Sequence, residues 1–221
     1  MIAKELINQM IPPLKLKDDG QKALTWMEEL RTNQLPIVDQ GVFKGLISED
    51  IVFSSNNLKK PMLEYELFAE KCHINENQHF YDVVKLASDF EVQVVAVIDD
   101  ENKFLGVITV EDTLAAFAQT LGVQSPGGII IISLLQIDYS LSEISRLIES
   151  DNAKILSSCI NIDTLDPNKI KLTLKINRTD LSRIVATLDR FGYKIIGKFN
   201  QTEAISNEKE RLDILMRYLD I

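Results

Sequence analysis

Thr109 and Asp112 are the pair of residues best spaced for chemistry in this 221-residue chain. A hydroxyl stands where an apolar run ends, and a carboxylate follows one helical turn later. Such a carboxylate can accept hydrogen bonds from two neighbouring hydroxyls, which is what a ribose diol offers. The same pair also makes a helix N-cap with a first-turn acid that suits the helix dipole, so capping stands beside ligand binding as a reading. Cys72, His73 and His79 are the other residues that invite a metal or a Cys–His nucleophile. Strand alternation would put Cys72 and His73 on opposite faces, and spacing supplies no fourth ligand, so no metal site is expected. Asp99-Asp100-Glu101 reads as a solvated turn. The chain has no Gly-rich phosphate loop, no G-x-S-x-G and no H-E-x-x-H, so no enzyme activity is expected.

Thr109 and Asp112 sit inside a repeat. Residues 22–39, KALTWMEELRTNQLPIVD, overlie residues 82–99, DVVKLASDFEVQVVAVID, at a constant offset of 60. Ala23, Leu24, Met27 and Leu30 share the stripe of Val83, Val84, Ala87 and Phe90, the pattern of an amphipathic helix. Leu35–Val38 and Val95–Ile98 follow as short buried strands. After each closing aspartate comes a turn and a second strand, GVFKGLIS in one copy and ENKFLGVIT in the other. Each copy therefore predicts strand–helix–strand–strand with a helix to follow, and two such copies would bury their sheets together.

A second repeat lies beyond the breaker cluster Ser125-Pro126-Gly127-Gly128. Residues 140–157 align with residues 179–197 at an offset of 40, and Ile130, Ile132 and Leu134 pair at that offset with Ile170, Leu172 and Leu174. Two strand–helix–strand halves of this kind predict a ferredoxin-like split unit. Ser140, with Glu143 three residues on, predicts a capping box, and Thr179 with Ser182 a simpler cap. Leu212, Leu215, Met216 and Leu219 predict a short amphipathic helix in a tail over residues 200–221.

Twenty-four Lys and Arg stand against 33 Asp and Glu. Residues 1–125 hold 11 basic and 20 acidic side chains, giving −9, while residues 126–221 balance. An acidic front half repels phosphate backbones and anionic lipid, so neither nucleic acid nor membrane is an expected partner. The opening residues lack the apolar core of a signal peptide, and no stretch reaches a membrane span, which predicts a cytoplasmic protein.

The run VVAVIDDENKFLGVITVEDTL, with Gly106-Val-Ile-Thr109-x-x-Asp112, resembles the CBS domain, and the recurrence at an offset of 60 makes it resemble a tandem CBS pair. The resemblance implies two βαββα repeats over 1–121, the first about 1–57 and the second about 70–121. It also implies that Thr109 and Asp112 hold the ribose of an adenosine-type ligand, with adenine against Ile74, Val94, Val95 and Ala96. AMP, ADP, ATP, NAD and S-adenosylmethionine are the candidates, as regulatory ligands and not as required cofactors. In the first copy Leu35, Pro36, Ile37, Ser48 and Asp50 form the corresponding second site. There the acid follows the hydroxyl by two residues, which turns it to another side of the helix. Residues 128–199 resemble an ACT domain in their βαββαβ order, with Asp138, Tyr139 and Ser140 in place of that family's ligand loop and without its proline and glycine. The fold class expected is thus α/β (α+β): a CBS pair, an ACT-like ferredoxin-like domain and a terminal helix. The arrangement resembles bacterial CBS/ACT proteins of the acetoin-utilisation type and implies a non-catalytic sensor acting as a homodimer. The alternative is a structural or interaction dimer without a small-molecule ligand.

Overall fold

Strand pairing in the computed structural model, which describes residues 1–55 and 57–200, follows the offset of 60 closely. In the first repeat Asp19 accepts from Lys22 N at 2.9 Å and starts α1 (Gly20–Leu30). Arg31, in the left-handed region at φ 53°, ends that helix. Strands β1 (Gln34–Asp39) and β2 (Val42–Ser48) then pair antiparallel, and α2 (Glu49–Ser54) follows. In the second repeat β3 (His73–Asn75) precedes α3 (Phe80–Asp89), which His79 caps through Nδ1. Strands β4 (Val94–Ile98) and β5 (Phe104–Thr109) and helix α4 (Val110–Thr120) complete it. Leu14 bridges Ile37 in parallel, as Ile74 bridges Val97, again 60 residues on.

The repeats exchange backbone. Asn8 N donates to Val107 O at 2.8 Å, so the opening segment of the first repeat lies along the second repeat's β5. Leu46 and Phe68 exchange both backbone bonds, at 2.8 and 3.0 Å, so the segment ahead of the second repeat lies along β2. Two glycines make room for this. A Cβ at Gly45 would stand 2.9 Å from the Phe68 carbonyl oxygen, and one at Gly106 would stand 2.5 Å from Ile7 Cγ2. The apolar faces of both repeats feed one core, with Leu35, Ile37, Leu46 and Ile47 from the first and Ile74, Val94, Val95, Ala96, Val97, Val107 and Ile108 from the second. Each fully buried side chain of this size contributes ~1.5–3 kcal/mol of transfer free energy. Gln34, only 8% exposed, crosses between the repeats by accepting from Gln93 N at 2.8 Å.

The chain divides into two units, Met1–Phe117 and Ala118–Ile221. The division falls inside α4, ahead of the glycine-rich segment where the sequence placed it. In the second unit β6 (Gly128–Leu135), α5 (Leu141–Ser150), β7 (Ile155–Ile162), β8 (Lys169–Ile176), α6 (Ser182–Arg190) and β9 (Lys194–Phe199) form an antiparallel sheet in the order β7-β8-β6-β9. With its strands taken in chain order this is 2-3-1-4, the ferredoxin-like arrangement. Alternate residues of β6 and β8, among them Ile130, Ile132, Leu172 and Leu174, are buried against Ile144, Ile148, Ile184 and Leu188 of the helices. Ser140 caps α5 through Glu143 N, at 3.4 Å. Thr179 does not cap α6. The helix begins two residues later than the repeat implied, with Leu181 at the N-cap position and no side-chain cap, and Asp180 Oδ1 ahead of it accepts from Ser182 N at 2.9 Å. The expected helix through Leu212, Leu215, Met216 and Leu219 lies outside the described residues.

Candidate functional site

Thr109 ends β5 and Asp112 lies in the first turn of α4, where they bond reciprocally. Thr109 Oγ1 donates to Asp112 Oδ2 at 2.6 Å, Thr109 N donates to the same oxygen at 3.0 Å, and Asp112 N donates to Thr109 Oγ1 at 3.0 Å. This geometry is a capping box with aspartate in the acidic place. Asn8 Nδ2 adds a third donor to Oδ2 at 3.3 Å. Among the described residues every recorded bond to this carboxylate falls on Oδ2, which leaves Oδ1 as an acceptor for a ligand.

The pair borders a cleft of about 590 Å³ built from both repeats. Asn8, Met10 and Ile11 come from the segment that lies along β5, and Glu29, Leu30, Arg31 and Thr32 from the end of α1. Gln93 and Val94 come from the start of β4, and Val110 and Glu111 join Thr109 and Asp112 from α4. Val110 N donates to Gln93 O at 3.0 Å, which fastens α4 to the residue that Gln34 holds from the first repeat. The volume lies within the range of small-molecule sites, ~300–1,000 Å³, and apolar side chains with a few convergent polar groups are the usual lining.

Residues 68–119 match the family model of the CBS domain. That segment begins at Phe68, the residue paired with β2, and includes Thr109 and Asp112. Uncharacterized protein MJ1232 of Methanocaldococcus jannaschii is 31% identical over 80 residues, covering 36% of this chain. The match spans 27% of that relative's length. A solved CBS domain pair/ACT domain protein from Thermotoga maritima aligns with a TM-score of 0.50 at 20% identity, over 55% of this chain and 99% of that one. This likeness shows the fold, a mixed α/β chain with a CBS-type pair. The CBS domain pair of protein MJ0100, solved with 5′-methylthioadenosine and S-adenosyl-L-methionine, aligns with a TM-score of 0.45 at 23% identity, over 54% of this chain and 97% of that one.

Of the residues the CBS resemblance pointed to, Thr109, Asp112 and Val94 line the cleft. Ile74, Val95 and Ala96 do not. They are at most 1% exposed, because β4 is covered on both faces and Ile74, on the neighbouring β3, is buried in the same core. In the first repeat Leu35, Pro36 and Ile37 are buried in β1. Ser48 caps α2 by accepting from Ile51 N at 3.3 Å, while Asp50 is on the exposed surface of that helix. The residue that corresponds to Asp112 when Ser48 is laid on Thr109 is Ile51, so the first copy carries no carboxylate at the clamp position. In the second unit Asp138 is exposed in a 3₁₀ turn, Tyr139 packs against that unit's core and Ser140 caps α5. A hollow of about 340 Å³ there, lined by Asp151, Arg178, Asp180 and Arg183, is at the opposite end of α5 from Asp138.

Cys72 is fully buried, and burial pushes its thiol up to about 11, far from a nucleophilic thiolate at neutral pH. The His73 ring meets Phe43 edge-on, 6.2 Å between centroids. Among the described residues no three His, Cys, Asp or Glu side chains are grouped to hold a metal ion. Nor is any helix among them long and apolar enough to cross a membrane. Asn8, Met10, Ile11 and Arg31 are cleft residues that sequence reasoning missed. The offset of 60 places Asn8 opposite Phe68, but only the backbone exchange reveals which strand each lies against.

Proposed function

We propose that this chain is a non-catalytic regulatory sensor, cytoplasmic and homodimeric, which binds an adenine-containing ligand in the cleft bordered by Thr109 and Asp112. One observation carries the reading: a hydroxyl–carboxylate pair with a free Oδ1 opens onto a cleft whose walls come from both CBS-type repeats. A ligand there touches the end of α1, the start of β4 and the first turn of α4 together. Its binding energy therefore biases how the repeats sit against each other, which is the differential contact that a switch requires. The ferredoxin-like unit, read as an ACT-like domain, is the element that carries the change to a partner subunit. The corresponding place in the first repeat takes no ribose, since Ile51 stands where the acid is needed.

A second reading has its own support. The reciprocal bonds of Thr109 and Asp112 already form a complete cap, so the pair serves α4 without a ligand, as in a structural dimer. Thermal unfolding with AMP, ADP, ATP, NAD and S-adenosylmethionine separates the two. A ligand at 100 times its dissociation constant stabilises the folded state by ~2.7 kcal/mol, whereas absence of any shift favours the structural dimer. Sedimentation of the same samples tests the dimer, and a 25 kDa species alone would remove it.

A further inference from the structure

Four charged side chains line the cleft, Glu29, Arg31, Glu111 and Asp112, three acids against one base. Asp112 is engaged by Thr109 and Asn8, but among the described residues Glu29, Arg31 and Glu111 make no ion pair, so their charges are unspent. No lysine joins the lining, and the surrounding first unit carries 11 basic against 20 acidic residues. The cleft also receives the end of α1, where the last carbonyls present the negative pole of the helix. The opposite pole, at the start of α4, has its first turn filled by Glu111 and Asp112, and Thr109 N is already taken by Oδ2.

We propose that the cleft selects an adenosyl ligand bearing a cationic group, of the S-adenosylmethionine class, over adenine nucleotides with two or three phosphates. This rests on the reading of the cleft as an adenosine site. A polyphosphate meets one guanidinium and two unpaired carboxylates, and like charges at close range in a partly desolvated cleft repel strongly. S-Adenosylmethionine carries one carboxylate against an ammonium and a sulfonium. That set matches the lining, with Arg31 for the carboxylate, Glu29 and Glu111 for the cations, and Asp112 for the ribose hydroxyls.

Calorimetric titration of the full chain with S-adenosylmethionine, 5′-methylthioadenosine and ATP, the last with and without magnesium, tests the preference. S-Adenosylmethionine is expected to bind at least about tenfold more tightly than either form of ATP. Added salt should weaken it and leave the uncharged methylthioadenosine unchanged. In the Glu29→Gln/Glu111→Gln variant the ratio should fall about tenfold or more, while methylthioadenosine binds as before and so reports an intact cleft. ATP binding as tightly as S-adenosylmethionine, or a ratio unmoved in the variant, overturns the charge selection and leaves the adenosine site standing. Binding of none of the three overturns the preference, and if AMP, ADP and NAD give no thermal shift either, the adenosine site falls with it.

Discussion

Replacing Gly106 by alanine tests whether the close approach between repeats was built around missing side chains. The new Cβ would stand 2.5 Å from Ile7 Cγ2, whereas carbon atoms pack at ~3.5–4.0 Å, so an overlap of about 1 Å must be relieved. Overpacking of this kind costs ~1–3 kcal/mol. The offending atom is the end of a half-buried side chain, so Ile7→Ala removes it, at its own cost of about 2 kcal/mol for lost burial. The double variant should therefore be more stable than the sum of the two losses by ~1–2 kcal/mol. Gly45→Ala supplies the contrast. There the Cβ meets the Phe68 carbonyl oxygen at 2.9 Å, a backbone atom that no side-chain truncation removes, while a strain of ~1–3 kcal/mol from positive φ is common to both sites, at +141° for Gly45 and +159° for Gly106. The next atom, Leu67 Cβ at 3.2 Å, survives in Leu67→Ala, so that pair should simply add. Urea unfolding of the seven proteins, wild type included, measures both cycles. Coupling at Gly45/Leu67 equal to that at Gly106/Ile7, or none at either, would refute the account of the glycines.

Asp112→Asn should keep the cap, since one oxygen remains to accept from Thr109, yet weaken an adenosine-type ligand about ten- to more than a hundredfold, as loss of a charged hydrogen bond worth ~1.5–3 kcal/mol implies. Asp50→Asn should bind like the wild type, and the opposite ranking by calorimetry would move the site to the first repeat. Gln34→Ala withdraws the acceptor for Gln93 N and should cost ~1–2 kcal/mol in denaturant unfolding; a neutral result would mean water replaces that bond freely. A thiol reagent at neutral pH should modify Cys159, which is exposed, and spare Cys72, whose thiol burial has raised to about 11, until denaturant is added. Two fast-reacting thiols in the native protein would show that the first core opens readily.

The helices and strands of both repeats are legible because their apolar residues recur with helical or strand periods, and because each pattern is written twice. Ala23 and Met27 on α1, and Val83 on α3, are buried as their spacing requires. Thr109 and Asp112 are legible for the same local reason, since three residues is one turn of a helix. Arg31 and Asn8 are not, because they reach the cleft from 78 and 101 positions ahead of Thr109, through pairings that leave no local signature. Ile74, Val95 and Ala96 mislead in the other direction. An apolar run of this kind fits a strand buried on both faces as well as one lining a pocket, and the first is what the core makes of it. Thr179 misplaces the cap because equal spacing in two repeats does not fix where a helix starts when Asp180 offers a competing acceptor.

The backbone exchange separates the unit that was copied from the unit that folds. A duplication of 60 residues reproduces a segment whose own sheet edge is covered only by its twin: β2 waits for Phe68, and β5 for Asn8, a closure spanning about a hundred residues. During synthesis the first repeat can satisfy β2 early, whereas β5, made last, must capture a segment made first. A gene divided between the repeats would yield two fragments, each presenting an uncovered strand edge, and each would be expected to seek the other half, or a second copy of itself, to close it.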